Sequence, residues 1–252
     1  MNRTWSAPVI LVCLIVLIWG AFTWGQAVPA ILLPPPDAVL SGFWNIIATG
    51  LIFPFLGVTM FEAVGGCIVG AAVALPLAAL VHRSPWISSA VNPFLGATQA
   101  IPAVALAPLL AMWAGYGIPP IILLCAAMVF FPILISTVVG LRHVSASVVE
   151  AARLDGASSL GLLLHVEAPM AMPSVLGGLR NGFTLSITGA VVGEMVIGGG
   201  KYLGLGTLLT VQRNNVDIVG MFATIAVLCL VAATLYSLIH LWERRSRIIK
   251  SL

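Results

Sequence analysis

Apolar residues run through this chain in long blocks, and polar residues collect in the short stretches between them. No Asp, Glu, Lys or Arg occurs over positions 84–141. A membrane-spanning helix needs about 20 apolar residues, so that stretch holds two crossings and a turn. Positions 218–242 hold one more, and positions 4–36 hold one crossing and an apolar loop. Two further blocks are each interrupted by one acid, Glu62 in the first and Glu194 in the second. The pattern predicts six crossings. A segment in lipid must satisfy its own backbone hydrogen bonds, which leaves helices or a closed barrel. The blocks are continuous rather than alternating, so the elements are helices and the fold is an all-α polytopic membrane protein.

Punctuation within the blocks sets the expected elements. The first helix covers about 9–24, as an uncleaved span, and Pro34, Pro35 and Pro36 then form an extended rim. A short interfacial helix is expected near 42–50. The second span covers 54–80, where Gly66 and Gly70 make a small-xxx-small pair suited to close helix contact. From Ser84 the chain follows the membrane surface, entering again as a third span over 102–113. The fourth span continues to Leu141 with a kink at Pro132. The fifth begins near Pro173 or Arg180 and ends near Ile197. The glycines of 198–206 read as a loop before a sixth span over 216–240.

Composition sharpens this picture. Of 252 residues, 60% are hydrophobic and 8% charged, with a mean hydropathy of +1.12. Soluble domains carry about 25% charged residues. Arg3, Arg83, Arg142, Arg153, Arg180, Arg244, Arg245, Arg247 and Lys250 fall on one side of the six spans, with Lys201 and Arg213 on the other. The positive-inside rule then places both termini in the cytoplasm, in a multi-pass membrane protein. A net charge of +3 distributed in this way gives no nucleic-acid surface. His82, His143, His165 and His240 are scattered at span ends, and Cys13, Cys67, Cys125 and Cys229 lie in separate helices, so no metal site is expected. Trp5, Trp24, Trp44, Trp86, Trp113, Tyr116, Tyr202 and Trp242 sit near span ends as interfacial anchors.

Charge returns in one place. The segment 142–172 holds Arg142, Glu150, Arg153, Asp155 and Glu167. Residues 148–154 suit a short helix, Gly156 can end it, and Ser158 or Ser159 can cap a second helix stopping before Pro169. A helix–turn–helix on the cytoplasmic face reads as a docking surface. Its sequence, Glu150-Ala151-Ala152, three residues, Gly156, nine residues, then Val166-Glu167-Ala168-Pro169, resembles the EAA loop of type I ABC importer permeases. Further runs, Ile101-Pro102, Ala107 to Leu110, GAVVGEM from Gly189, and Gly204-Leu205-Gly206, are similar to the nitrate, sulfonate, taurine and thiamine-precursor branch.

The resemblance implies one permease domain over 1–252, with a core over 57–245 and a coupling loop over 142–172. It implies that the loop docks on an ATP-hydrolysing subunit through Glu150, Ala151, Ala152, Gly156 and Pro169. It implies as partners a second permease copy, two cytoplasmic ATP-binding subunits that hold ATP and Mg, and an extracytoplasmic substrate-binding protein. The chain itself would carry no cofactor and no catalytic residue. Gly200-Lys201 is no phosphate loop, because Met195 stands where a Gly is required and Tyr202 follows the Lys. Glu194 and Glu62 are candidates for the translocation pathway or a gate, against a structural hydrogen bond between helices. An ion-coupled secondary transporter or channel is the alternative, and two isolated acids give it little support.

Overall fold

The computed structural model describes residues 6–25, 28–97, 102–198 and 200–250. Arg3, Trp5, Ile101 and Gly199, and the side chains of His240, Trp242 and the residues after it, lie outside that description. The helices in chain order are α1 (Ser6–Trp24), α2 (Pro36–Ala48), α3 (Ile52–Arg83), α4 (Pro85–Ala97), α5 (Ala103–Ala114), α6 (Ile118–Arg142), α7 (Ala146–Leu154), α8 (Ser159–Leu162), α9 (Ala168–Val196), α10 (Leu205–Asn214) and α11 (Ile218–Lys250). A π-turn, Leu163–Glu167, joins α8 to α9.

Among the described residues four helical rods are long and apolar enough to cross a membrane: Ile52–Arg83, Ile118–Arg142, Ser159–Val196 and Ile218–Ile239. Shorter apolar helices cover Ile10–Trp24 and Val104–Ala114. At 1.5 Å per residue α5 reaches about 18 Å, short of the roughly 30 Å hydrocarbon core. Apolar side chains cover the outside of α1, where Ile10, Leu11, Ile15 and Leu17 are all exposed. Lipid is the solvent that tolerates such a surface.

The centre of the bundle is α3, α6 and α9. Ala63, Ile121, Leu124, Cys125, Ile187 and Ala190 fill its middle, with α5 contributing Ala107. Toward the end that carries α7 and α8, here the loop end, the filling is Ala74, Ala78, Val81, Val129, Ile133 and Leu134. At the far end α2, α10 and α11 close over Ile52 through Ile46, Leu205, Leu208 and Val227. Small residues let the three central helices touch. A methyl group at Gly66 would overlap Cys125, and one at Gly70 would overlap Val129, so this pair lies directly on α6. Gly178 rests on Ser136 and Gly140 on Ser174 in the same way, joining α6 to α9. Van der Waals fit of this kind drives helix association where lipid removes the hydrophobic incentive.

Four boundaries differ from the sequence reading. The second short helix does not stop before Pro169, and no break precedes Pro173: Ser159 to Val196 is one rod. The π-turn explains it. Its wider ring ends where Ala168 N–H donates to the Leu163 carbonyl, immediately before the proline that has no N–H to give. Residues 205–214, which the sequence reading divides between the glycine loop and an unassigned stretch before the sixth span, form α10. α2 starts at Pro36, earlier than expected, because a proline at the first helical position loses no hydrogen bond. α11 runs past 240 to Lys250, since charge ends a membrane span without ending a helix.

Candidate functional site

Two polar places stand out in this apolar bundle, one at each end. At the loop end, α7 is built from nine residues, none of them buried. Glu150 and Ala151 are exposed, Ala152 is half-buried, and Leu154 is 89% exposed. Gly156 ends α7 at φ +86°, in the left-handed region that an L side chain avoids. Ser158 caps α8 by accepting from Gly161 N–H at 3.1 Å, as expected of one of the two serines. Pro169 lies beyond the π-turn, half-buried in the first turn of α9. Glu150, Ala151, Ala152 and Gly156 thus sit together on α7 and its turn, while Pro169 stands apart on the rod. Exposed Leu160 and Leu164 extend the apolar surface begun by Leu154.

The loop is attached at its base. His82 at the end of α3 lies 3.3 Å from the Glu167 carboxylate in the π-turn. Arg142 at the end of α6 donates to Ser88 on α4 at 2.8 Å. Leu163 is buried against Leu141 and Ala171. The exposed loop and the bundle are therefore connected through the turn that precedes α9.

At the far end the two acids meet. Glu62 is 1% and Glu194 3% exposed, and their carboxyl groups are in contact across α3 and α9. Glu194 accepts from the Thr59 hydroxyl at 2.6 Å and from Gly206 N–H in the first turn of α10. Thr59 in turn accepts from Leu205 N–H at 2.8 Å. Two of the donors left open at a helix N-terminus are satisfied here by side chains from two other helices. A carboxylate also complements the positive end of the helix dipole. Any side chain at Gly204 would overlap the Glu194 carboxylate, so the GAVVGEM run and the Gly-Leu-Gly run are two halves of one contact. Glu62 keeps one oxygen, Oε2, without a hydrogen-bond partner among the described residues.

Sequence reasoning missed Thr59, α10, the His82–Glu167 pair and the position of Arg180, which lies inside α9 with its guanidinium 4.8 Å from the Tyr236 ring centre. The signal for Thr59 was a hydroxyl one helical turn before Glu62 in an apolar block. Among the described residues no group of three or more His, Cys, Asp or Glu side chains could hold a metal ion.

Long apolar helices around a core of small residues, with buried polar contacts at one end and an exposed helical loop at the other, define a polytopic helical membrane protein. The chain belongs to the family of binding-protein-dependent transport system inner membrane components, whose model matches residues 66–248. It is 40% identical to the riboflavin transport system permease protein RibX of Chloroflexus aurantiacus, over 94% of this chain and 87% of that one. It is 29% identical to the putative aliphatic sulfonates transport permease protein SsuC of Bacillus subtilis, over 96% of this chain and 86% of that one. The fold is similar to that of the MetNI methionine ABC transporter, with a TM-score of 0.69 and 16% identity, over 79% of this chain and 97% of the other. The protein is a multi-pass, non-catalytic permease subunit of an ABC importer, which takes in a small solute brought by an external binding protein.

Proposed function

We propose that the chain crosses the inner membrane six times with both termini in the cytoplasm, and that two copies form the path for the solute. In this reading α1 and α5 complete the count begun by the four long rods, and 1–252 is one permease domain with its core over 57–245. Six helices enclose a poor pathway alone, and a closed two-fold pair is the commonest way to complete one. Two cytoplasmic subunits bind ATP and Mg, and an extracytoplasmic binding protein delivers the solute at the far end. Riboflavin and an aliphatic sulfonate, the solutes of the two relatives named above, are the first to test.

The observation that carries the ATPase reading is the exposure of α7. A nine-residue helix with no buried side chain, ending in a Leu that is 89% exposed, has no reason to hold apolar surface in water without a partner. The segment 142–172 is then the coupling loop. Glu150 supplies a polar contact, Ala151 and Ala152 keep the helix surface low, and Gly156 makes the turn. Pro169 ties the loop to α9, which moves with it as a rigid body. Glu194 and Glu62 act at the other end as part of a gate, because their hydrogen bonds hold α10 against α3 and α9.

Co-purification of the full chain with candidate ATP-binding subunits tests the loop. The native chain retains an ATPase, and Gly156→Leu loses it. Gly57→Ala, where nothing lies within 4 Å of the added carbon, retains it. An ATPase that binds native and Gly156→Leu chains alike overturns the docking assignment. For the gate, Glu194→Gln alters solute uptake or ATP hydrolysis by the assembled importer; unchanged values for both remove the assignment.

A further inference from the structure

Two arginines at the loop end face one cavity. Arg83 is the last residue of α3, and Arg153 stands in the last turn of α7. Both are exposed, and among the described residues neither has a hydrogen-bond or ion-pair partner. Their cavity, about 280 Å³ in volume, is completed by His82, Ser159, Leu162 and Glu167. Glu167, the one acid in that wall, is matched by His82 at 3.3 Å. Arg142 at the same end of the bundle shows the contrast, since its guanidinium donates to Ser88 at 2.8 Å.

Position and size limit what can enter. The 32 residues of α3 reach about 48 Å, against roughly 30 Å of hydrocarbon, so its last residue lies at the membrane edge, level with lipid headgroups. The cavity is also distinct from the outer surface of α7. Adjacent positions on a helix point about 100° apart: Arg153 shares a wall with His82 and Glu167, while Leu154 is 89% exposed. Two like charges facing one space repel each other, and an anion between them relieves that repulsion. Small-molecule sites run to about 300–1,000 Å³, so this cavity admits a compact charged group and not a nucleotide.

We propose that this cavity binds a phosphate group between Arg83 and Arg153, and that the bound phosphate fastens the base of the loop to the end of α3. A guanidinium is planar, permanently charged and shaped for two-point contact with phosphate oxygens. The Ser159 hydroxyl adds a neutral donor in the same wall. Basic pockets between spanning helices at a membrane edge suit lipid phosphates, and soluble phosphate offers the same chemistry. The site is independent of the solute path and of the ATPase assignment, and it adds a ligand that braces α7 from the bundle side.

The test uses the full chain in phosphate-free maltoside micelles at fixed ionic strength. One arm titrates inorganic phosphate by calorimetry; the other measures, by native mass spectrometry, retention of phosphatidate against diacylglycerol with the same chains. The native chain binds at least one of the two phosphates, and Arg83→Gln with Arg153→Gln weakens that binding at least tenfold. Each single variant loses several-fold, whereas Arg142→Gln, which removes an equal charge at the same end, leaves the affinity within twofold of native. Phosphate also slows hydrogen exchange of the α7 amides in the native chain and not in the double variant. Binding of phosphatidate alone assigns the site to lipid, and binding of inorganic phosphate assigns it to the free anion; either result upholds the site. Binding of neither, or equal loss in Arg142→Gln and the double variant, overturns it. The double variant still captures an ATP-binding subunit; if it loses that capture while keeping native phosphate affinity, the two arginines belong to the docking surface and the phosphate site is overturned. A native chain that binds phosphate yet captures no ATPase loses the docking assignment alone.

Discussion

The hydroxyl of Thr59 donates to the carboxylate of Glu194 at 2.6 Å, across 135 positions of sequence and between two different spanning helices. The same oxygen accepts from Leu205 N–H, so one side chain links α3, α9 and the start of α10. Replacing it by Val removes both hydrogen bonds at nearly constant volume. A buried N–H left without a partner costs about 1–3 kcal/mol. Thr59→Val is expected to lower the unfolding free energy of the purified chain in mixed micelles by that amount, whereas Thr59→Ser loses less. A Thr59→Val chain as stable as the native one would contradict the linkage.

Gly204 and Glu194 make a steric prediction. The carboxylate occupies the volume that a side chain at position 204 needs, so Gly204→Ala forces α10 away from α9. Gly204→Ala is expected to destabilise the far end by more than 1 kcal/mol, in the range of overpacked sites. In a Glu194→Ala background the same change costs much less. A double-mutant cycle on thermal unfolding measures the coupling, and additive effects would show that the two residues do not compete for space.

Val216 adopts φ +58°, a left-handed conformation that a β-branched residue rarely takes. It sits in the short connection from α10 to α11, where Asp217 then caps α11 by accepting from Gly220 N–H at 2.9 Å. Val216→Gly or Val216→Asn is expected to raise stability by about 1 kcal/mol, the scale of that backbone cost. A loss of stability in both variants would mean that the Val side chain contributes more than its conformation costs.

Leu154 allows the loop surface to be tested without touching the bundle. Because the side chain is 89% exposed, Leu154→Asp leaves the thermal unfolding of the isolated chain within about 0.5 kcal/mol of native. Retention of an ATP-binding subunit in a pull-down should fall sharply at the same time. Undiminished retention would take Leu154 out of the docking surface.

The helices that lipid dictates were legible in the sequence, because a long apolar run without charge has few other uses. The short helix ending at Gly156 and the serine cap were legible too, since capping is chemistry between neighbours. α10 was not. Its sequence follows a stretch of glycines, and its first turn is completed by Glu194 and Thr59, which a local reading does not bring together. The continuity through Pro169 was hidden for the opposite reason: a local rule says that proline breaks a helix, and one π-turn suspends it. Arg180 was misplaced because the fifth span was started too late, at a proline that the rod passes through. Glu194 was singled out for the right property, a buried acid in an apolar block, but its partners lie on other helices.

The unbroken rod from Ser159 to Val196 also has a mechanical meaning. Thirty-eight residues make a shaft about 57 Å long at 1.5 Å per residue, with α7 beside one end and the Glu194 clasp on α10 near the other. A tilt of about 5° around its midpoint swings the two ends about 2.5 Å in opposite directions, while Arg180, close to the pivot, hardly moves. A break before Pro173, as local rules suggest, would absorb such a swing in a joint. The π-turn, by accommodating the proline, leaves the lever whole.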